Sequence, residues 1–187
     1  LFRSLNRYLS HHPKLPAWFT SNHDENSWNG TEFDKYGEMA TMLQVFSLTF
    51  PGMPIIYSGQ EIPNKKMLKF FDKDELDWNN GCRLNDFFKR FLTLRKQNKA
   101  CSTGVKSSLF FLDNNPTPVL AFVRTNEEHK LLVVLNFSNK PQEFKPFLQK
   151  EYGAFSNVWI PENISVAPGI YFKINAWEYR VYQQIPK

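Results

Sequence analysis

Two short apolar runs, Ala17-Trp18-Phe19-Thr20 and Met53-Pro54-Ile55-Ile56-Tyr57, decide how this chain folds. Each breaks into a polar cluster, Ser21-Asn22-His23-Asp24-Glu25-Asn26 after the first and Ser58-Gly59-Gln60-Glu61 after the second. Between them, Thr31 followed three residues later by Asp34 is a capping-box pattern. Phe33, Tyr36, Ala40, Leu43 and Phe46 then recur at spacings of three and four, which predicts one amphipathic helix stopped by Pro51-Gly52. Two buried strands joined through a helix read as a βα unit of a parallel sheet.

The same rhythm extends on both sides. Upstream, Leu1, Phe2, Leu5, Tyr8 and Leu9 fall on one helical face, and Pro13 and Pro16 end that helix. Downstream, an irregular stretch holds Pro63 and the acids Asp72, Asp74, Glu75 and Asp77, which read as a solvated acidic loop. As a calcium loop this group fails, because Leu76 takes a ligand position and no Gly makes the turn. A third helix is predicted from near Arg83 to near Gln97, with Leu84, Phe87, Phe88, Phe91 and Leu92 on its apolar face.

From about Lys106 the period changes. Pro118–Arg124 and Leu131–Phe137 read as strands joined by the turn Thr125-Asn126-Glu127-Glu128, followed by shorter strands at Phe144, Val158–Ile160, Ile170–Ile174 and Trp177–Tyr182. The expected architecture is therefore α/β in residues 1–103 and an all-β, two-sheet sandwich in residues 104–187.

Composition bounds the function. With 187 residues, 42% hydrophobic and 22% charged, the chain is globular and fits one ordinary domain or two small ones. Apolar runs such as Leu131–Leu135 are strand-sized, far from the roughly 18 residues of a membrane span. The net charge of +5 prompts a nucleic-acid reading, but Lys65, Lys66, Arg83, Lys89, Arg90, Arg95 and Lys96 are scattered, and those on the third helix read as its solvated face. No nucleic-acid partner is expected. Cys82 and Cys101 lack metal or redox spacing and read as two free, mostly buried thiols, with a single disulfide as the alternative. Sequons at Asn29, Asn136 and Asn163 bear on a secretory setting only. Rings make up 16% of the chain, enough for a large core and for stacking on a ligand, with Trp18 and Trp28 nearest the polar clusters. The sequence opens Leu1-Phe2-Arg3, without an initiator Met or signal peptide, and reads as part of a longer protein.

In parallel α/β folds functional groups gather at the carboxyl ends of strands. Asn22-His23-Asp24 offers amide, imidazole and carboxylate there, a set able to hold vicinal sugar hydroxyls. Phe19-Thr20-Ser21-Asn22-His23-Asp24 followed by Gly52-Met53-Pro54-Ile55-Ile56-Tyr57-Ser58-Gly59-Gln60-Glu61 resembles the α-amylase family, glycoside hydrolase family 13. The first stretch is similar to that family's motif at barrel strand seven, the second to its motif at strand eight. Leu76-Asp77-Trp78, the Phe-rich helix and the terminal β-region follow in the same order.

The resemblance implies that residues 1–103 are the last βα units of a (β/α)8 TIM barrel, with strands seven and eight, and that residues 104–187 are a C-terminal antiparallel β-sandwich domain. It makes Asp24 the carboxylate that stabilises the transition state by holding the 2- and 3-hydroxyls of the sugar being cleaved. His23 would bond the same sugar, Asn22 would orient the pair and Trp28 would lie beside it. Gly52, Pro54, Tyr57, Gln60 and Glu61 would support the barrel mouth.

The nucleophile and the acid/base of the family lie on strands four and five, which would precede Leu1, and neither motif occurs in this chain. The implied function is thus a fragment of a retaining α-1,4-glucan hydrolase, itself inactive, with an α-glucan or maltooligosaccharide as substrate. A transglycosylase or branching enzyme of the family and a non-catalytic scaffold or sugar-binding protein are the alternatives. No cofactor or metal is expected in this segment, and a calcium site in the full-length parent is left open. A quarter of a barrel would leave Phe87, Phe88 and Phe91 without neighbours, which predicts self-association or capture by the remainder of the parent chain.

Overall fold

A computed structural model describes residues 2–11, 15–79, 81–102, 107–112, 117–148 and 150–185. Leu1, Pro13 and the expected boundary at 103/104 lie outside the described residues. The chain divides into two compact units, Leu15–Leu94 and the pair of segments Leu1–Lys14 and Arg95–Lys187.

Within Leu15–Leu94, β1 (Ala17–Trp18) pairs in parallel with β2 (Met53–Pro54), with Ala17 opposite Met53 and Trp18 opposite Pro54. Met53 N–H donates to Pro16 O at 2.9 Å and Ile55 N–H to Trp18 O at 2.8 Å. Pro54 occupies the alternate position, whose nitrogen this ladder does not use, so its missing donor costs nothing here. Gly52 has φ 141°, and a Cβ on it would lie 2.4 Å from Pro16 O and 2.6 Å from Trp18 Nε1. Only glycine allows this approach. Trp18 is fixed by Nε1–H donating to Pro51 O at 2.8 Å and by edge contacts to Phe46 and Phe50, with centroids at 5.4 and 5.6 Å. It is half-buried, and its ring is committed to Pro51, Phe46 and Phe50 of the strand pair and its connection.

The connection between the strands departs from one amphipathic helix. The polar stretch after β1 forms α2 (His23–Asn29), capped by Asn22. The Thr31/Asp34 capping box is present and starts α3 (Glu32–Tyr36). Gly37, at φ 53° and ψ −130°, then leaves the helical region, and a 3-10 turn at Gly37–Met39 leads into α4 (Ala40–Thr49). α4 buries Ala40, Met42, Gln44, Val45, Ser47, Leu48 and Thr49, whereas Phe33, Tyr36, Leu43 and Phe46 of the expected stripe are only half-buried. A helix buried on most sides carries no clean stripe, which is why spacing misplaced its inner face.

The last helix, α5 (Asn85–Gln97), buries Phe87, Phe88, Phe91 and Leu94, while Leu92 is exposed. The three phenylalanines expected to stand bare are at most 7% exposed. Arg95, expected on the solvated face, is buried as well. Of the two thiols expected to be buried, Cys101 is and Cys82 is exposed; neither forms a disulfide.

The other unit opens with α1 (Phe2–His11) and is built on a six-stranded antiparallel sheet of order β3-β4-β5-β10-β7-β8. Its strands are β3 (Ser108–Phe111), β4 (Val119–Asn126), β5 (His129–Asn136), β7 (Gly153–Asn157), β8 (Asn163–Val166) and β10 (Tyr179–Gln184). A smaller sheet pairs β6 (Gln142–Phe144) with β9 (Phe172–Ile174). Phe144, Phe172 and Ile174 from the small sheet share a core with Val119, Ala121, Val123, Leu132, Val134, Phe155, Val166 and Tyr182 from the large one. This two-sheet packing is the sandwich expected from the sequence. β4 and β5 meet through a two-residue turn, Glu127-Glu128, with Asn126 opposite His129 and Glu127 at φ 49°. Both strands are buried on both faces, hence their unbroken apolar runs.

Val158–Ile160, expected as a strand, is a bend; the strand precedes it as β7, and the weakly patterned β3 and β8 went unread. Asn136 of the second sequon is fully buried, its amide donating to Lys140 O at 2.8 Å and Asn175 O at 2.7 Å. It is a structural residue.

Candidate functional site

Parallel pairing of β1 and β2 sends both polar clusters to the same strand ends. There a buried network joins them. Glu32, on α3 and 3% exposed, accepts through Oε2 from Thr20 Oγ1–H at 2.6 Å and from Gln60 Nε2–H at 2.7 Å. Its Oε1 accepts from Gln44 Nε2–H on α4 at 2.7 Å. Gln60 Nε2 also donates to Thr20 Oγ1 at 2.9 Å, and Gln60 Oε1 accepts from Tyr57 N–H at 2.7 Å. A buried carboxylate is tolerated only with such donors around it. The network is the clamp between the two strand ends, and Glu32 is its centre.

Sequence reading found Gln60 but not Glu32, Thr20 or Gln44. The signal was the polar residues on an otherwise apolar helix, Gln44 within Met42–Val45 above all, since a buried amide demands a partner. Beside the clamp, Ser21, Asn26, Thr31, Glu32, Tyr57, Ser58, Gly59, Gln60 and Asn64 line a cavity of about 10 Å³, the room one water centre needs.

The candidate sugar-facing residues lie on α2. Asn22 Oδ1 accepts from Glu25 N–H at 2.8 Å, so its side chain orients His23 and Asp24 through the start of the helix rather than by touching them. His23 Nε2 lies 3.6 Å from Asp24 Oδ1, and both side chains are open to solvent, at 68% and 61% exposure. Acids in the first helical turn also suit the positive end of the helix. An exposed carboxylate with an imidazole alongside offers acceptors and a donor to adjacent hydroxyls without a desolvation cost before the ligand arrives.

Glu25 is paired instead. Lys35 Nζ donates to its Oε2 at 2.9 Å, and that hydrogen bond and charge hold the Glu25 carboxyl below the usual carboxylate range. It stays ionised and unsuited to donating a proton.

Trp28 is 59% exposed and lies against Phe70, with centroids 5.3 Å apart. Phe70 also stacks on His23, at 5.9 Å and 25°. Asn26, buried beneath, ties this loop to α2: Leu68 N–H donates to Asn26 Oδ1 at 2.8 Å and Asn26 Nδ2–H to Lys66 O at 3.3 Å. Asp74 closes the loop, accepting from Lys66 Nζ, from Lys69 N–H at 3.1 Å and from Glu75 N–H at 2.8 Å. These bonds, Lys66 first, pull the Asp74 carboxyl to about 2. The acidic loop is therefore organised by one of its acids, which a plain solvated reading missed.

Glu61 Oε2 accepts from Gly59 N–H at 3.0 Å, and its carbonyl accepts from Leu84 N–H at 2.9 Å. Gly59, at φ 95°, leaves no room for a Cβ, which would meet Leu76 Cδ2 at 2.9 Å.

No family model matches the chain. Curated relatives do. Alpha-amylase 2 of Dictyoglomus thermophilum is 23% identical over 138 residues, covering 67% of this chain and 23% of that protein. The cyclomaltodextrinase of Thermoanaerobacter pseudethanolicus is 30% identical over 105 residues, covering 52% of this chain and 17% of that protein. Among solved structures, an α-amylase from Geobacillus thermoleovorans complexed with acarbose superposes with a TM-score of 0.75 over 99% of this chain, at 16% identity.

This chain resembles the C-terminal part of an α-amylase family protein.

A maltogenic α-amylase from Thermotoga neapolitana gives the same TM-score, 0.75, over 100% of this chain and 46% of its own. At 16% identity such matches concern the fold. The chain spans less than a quarter of the length of these two curated relatives.

Proposed function

We propose that this chain is the C-terminal part of a retaining, α-amylase-like glycoside hydrolase whose substrate is an α-1,4-glucan or maltooligosaccharide. In this reading residues 1–103 carry strands seven and eight of a (β/α)8 barrel, as β1 and β2, and residues 104–187 are the β-domain. The observation that carries it is the parallel β1–β2 pair, with Thr20 and Gln60 bonded at 2.9 Å across the two strand ends beside Asn22-His23-Asp24.

Asp24 accepts from the 2- and 3-hydroxyls of the sugar being cleaved. As the ring flattens toward an oxocarbenium ion those hydroxyls become stronger donors, so the bonds tighten most in the transition state. His23 bonds the same sugar, Asn22 sets their direction as helix cap, and Trp28 borders them. Gly52, Pro54, Tyr57, Gln60 and Glu61 hold the strand ends. The nucleophile and acid/base come from upstream residues of the parent, so the chain alone does not cleave glucans.

Asp24→Asn in the parent is the test. Turnover of a maltooligosaccharide falls about a hundred- to a thousandfold, as when an electrostatic transition-state contact is lost, with circular dichroism unchanged. Undiminished turnover refutes the role, and an upstream sequence without an Asp and a Glu at strand ends four and five refutes catalysis.

A further inference from the structure

We propose that Phe71 and Phe70, with Trp28, form a stacking platform for a second pyranose, next to the sugar held by His23 and Asp24. The proposal rests on the sugar-binding reading of that pair and adds a determinant of chain-length preference. Phe71 is 85% exposed, Trp28 59% and Phe70 40%, a contiguous aromatic surface of the kind that marks a binding site. Phe70 and Phe71 meet edge to face at 4.9 Å and 75°, and Trp28 contacts Phe71 at 6.1 Å, so the rings present faces in more than one direction.

Continuity with the site is direct. The His23 ring lies on Phe70 at 25°, so the imidazole that bonds one sugar forms the end of the aromatic surface. A glucan leaving His23 along this surface lays its next ring over the platform. A pyranose has C–H faces and a hydroxyl rim; the faces pack on flat rings while the rim stays hydrated. Aromatic side chains suit this, having large areas and few torsions to freeze.

The loop is also built for position. Residues 66–76 form no helix or strand, yet both sides of the aromatic pair are tied down: Asn26, 3% exposed, bridges Lys66 O and Leu68 N, and Asp74 gathers Lys66, Lys69 and Glu75. Exposed rings on a loop pinned so firmly to the helix of His23 and Asp24 are held for contact. Lys65, Lys66, Lys69 and Lys73 flank them, so the surface is hydrated at its rim.

The experiment measures kcat/KM of the parent on α-glucosyl fluoride and maltoheptaose for Phe71→Ala, Phe71→Trp and Asp24→Asn. Phe71→Ala lowers kcat/KM for maltoheptaose about three- to tenfold, the value of one aromatic stack, and leaves α-glucosyl fluoride, whose single ring fills the His23/Asp24 position alone, unchanged; Phe71→Trp restores the difference. Equal effects on both substrates, or none on either, overturn the platform while leaving Asp24 in its role. If Asp24→Asn changes neither substrate, the reading of the sugar site fails instead. A Phe71→Ala variant that alters only the sedimentation of the protein makes the surface a contact between copies and also overturns the platform.

Discussion

The β-unit and the region Leu15–Leu94 solve the same problem in opposite ways. In the β-unit, β4 and β5 run eight residues each, pair in full register and bury aliphatic side chains on both faces. In Leu15–Leu94, β1 and β2 run two residues each, and what secures their ends is a carboxylate, two amides and a hydroxyl out of water. Exposed apolar side chains are also more numerous in Leu15–Leu94 than in the other unit, where Tyr8, Phe110, Phe147, Ile160 and Tyr171 are exposed. Phe19, Trp28, Met53, Ile55, Met67, Phe70, Phe71 and Trp78 all lie open in the region with the buried polar clamp. Apolar ladders tolerate substitution by degrees, because dispersion is spread over many atoms. A polar clamp does not, because each donor answers to one acceptor. Rigidity of the second kind suits strand ends that must hold functional groups at fixed separations.

The contrast can be broken at its strongest point first. Phe155→Ala, at a fully buried core position, costs about 3–5 kcal/mol. Urea unfolding followed by far-ultraviolet circular dichroism reads it, and a midpoint shift worth under about 1 kcal/mol would mean that the sandwich core is not the source of that unit's stability.

Next comes the clamp. Glu32→Ala strands the donors of Thr20, Gln44 and Gln60 and costs about 2–3 kcal/mol, while Glu32→Gln, which keeps one acceptor, costs less. Amide exchange localises the loss to the residues after β1 and β2. Equal costs for the two variants would show that volume, not hydrogen bonding, is what Glu32 supplies.

The smallest effect is on pH. The Asp74 carboxyl titrates near 2 against an ordinary 3.8, so its contribution is present above the ordinary value and is lost as the pH falls toward about 2. Protection of the Lys69 and Glu75 amides drops over that window, and the drop is absent in Asp74→Asn. Loop amides insensitive to pH in the unsubstituted chain would remove Asp74 as the organiser of the aromatic loop.

Local chemistry made part of this protein legible in its sequence. The Thr31/Asp34 box, the stop at Pro51-Gly52, the β4–β5 hairpin and the polar clusters at the ends of two apolar runs depend on neighbours within a few residues, where spacing carries the information. Order and spacing of those clusters were also enough to point to the α-amylase family. What spacing could not carry was anything decided by residues far apart. Glu32 looks like an exposed helical acid until Thr20 and Gln60 are brought to it across 12 and 28 residues. Asn26 looks like the tail of a polar turn until it receives the backbone of Leu68, 42 residues on. α4 shows no stripe because it is buried on most sides, and nothing in the spacing places Phe70 and Phe71 in water beside His23. The sequence by itself determined which segments form elements and which polar residues cluster at their ends, because those choices are local. Only the tertiary structure decided which polar groups are buried and which aromatic rings are exposed, because burial is a property of what the rest of the chain places alongside.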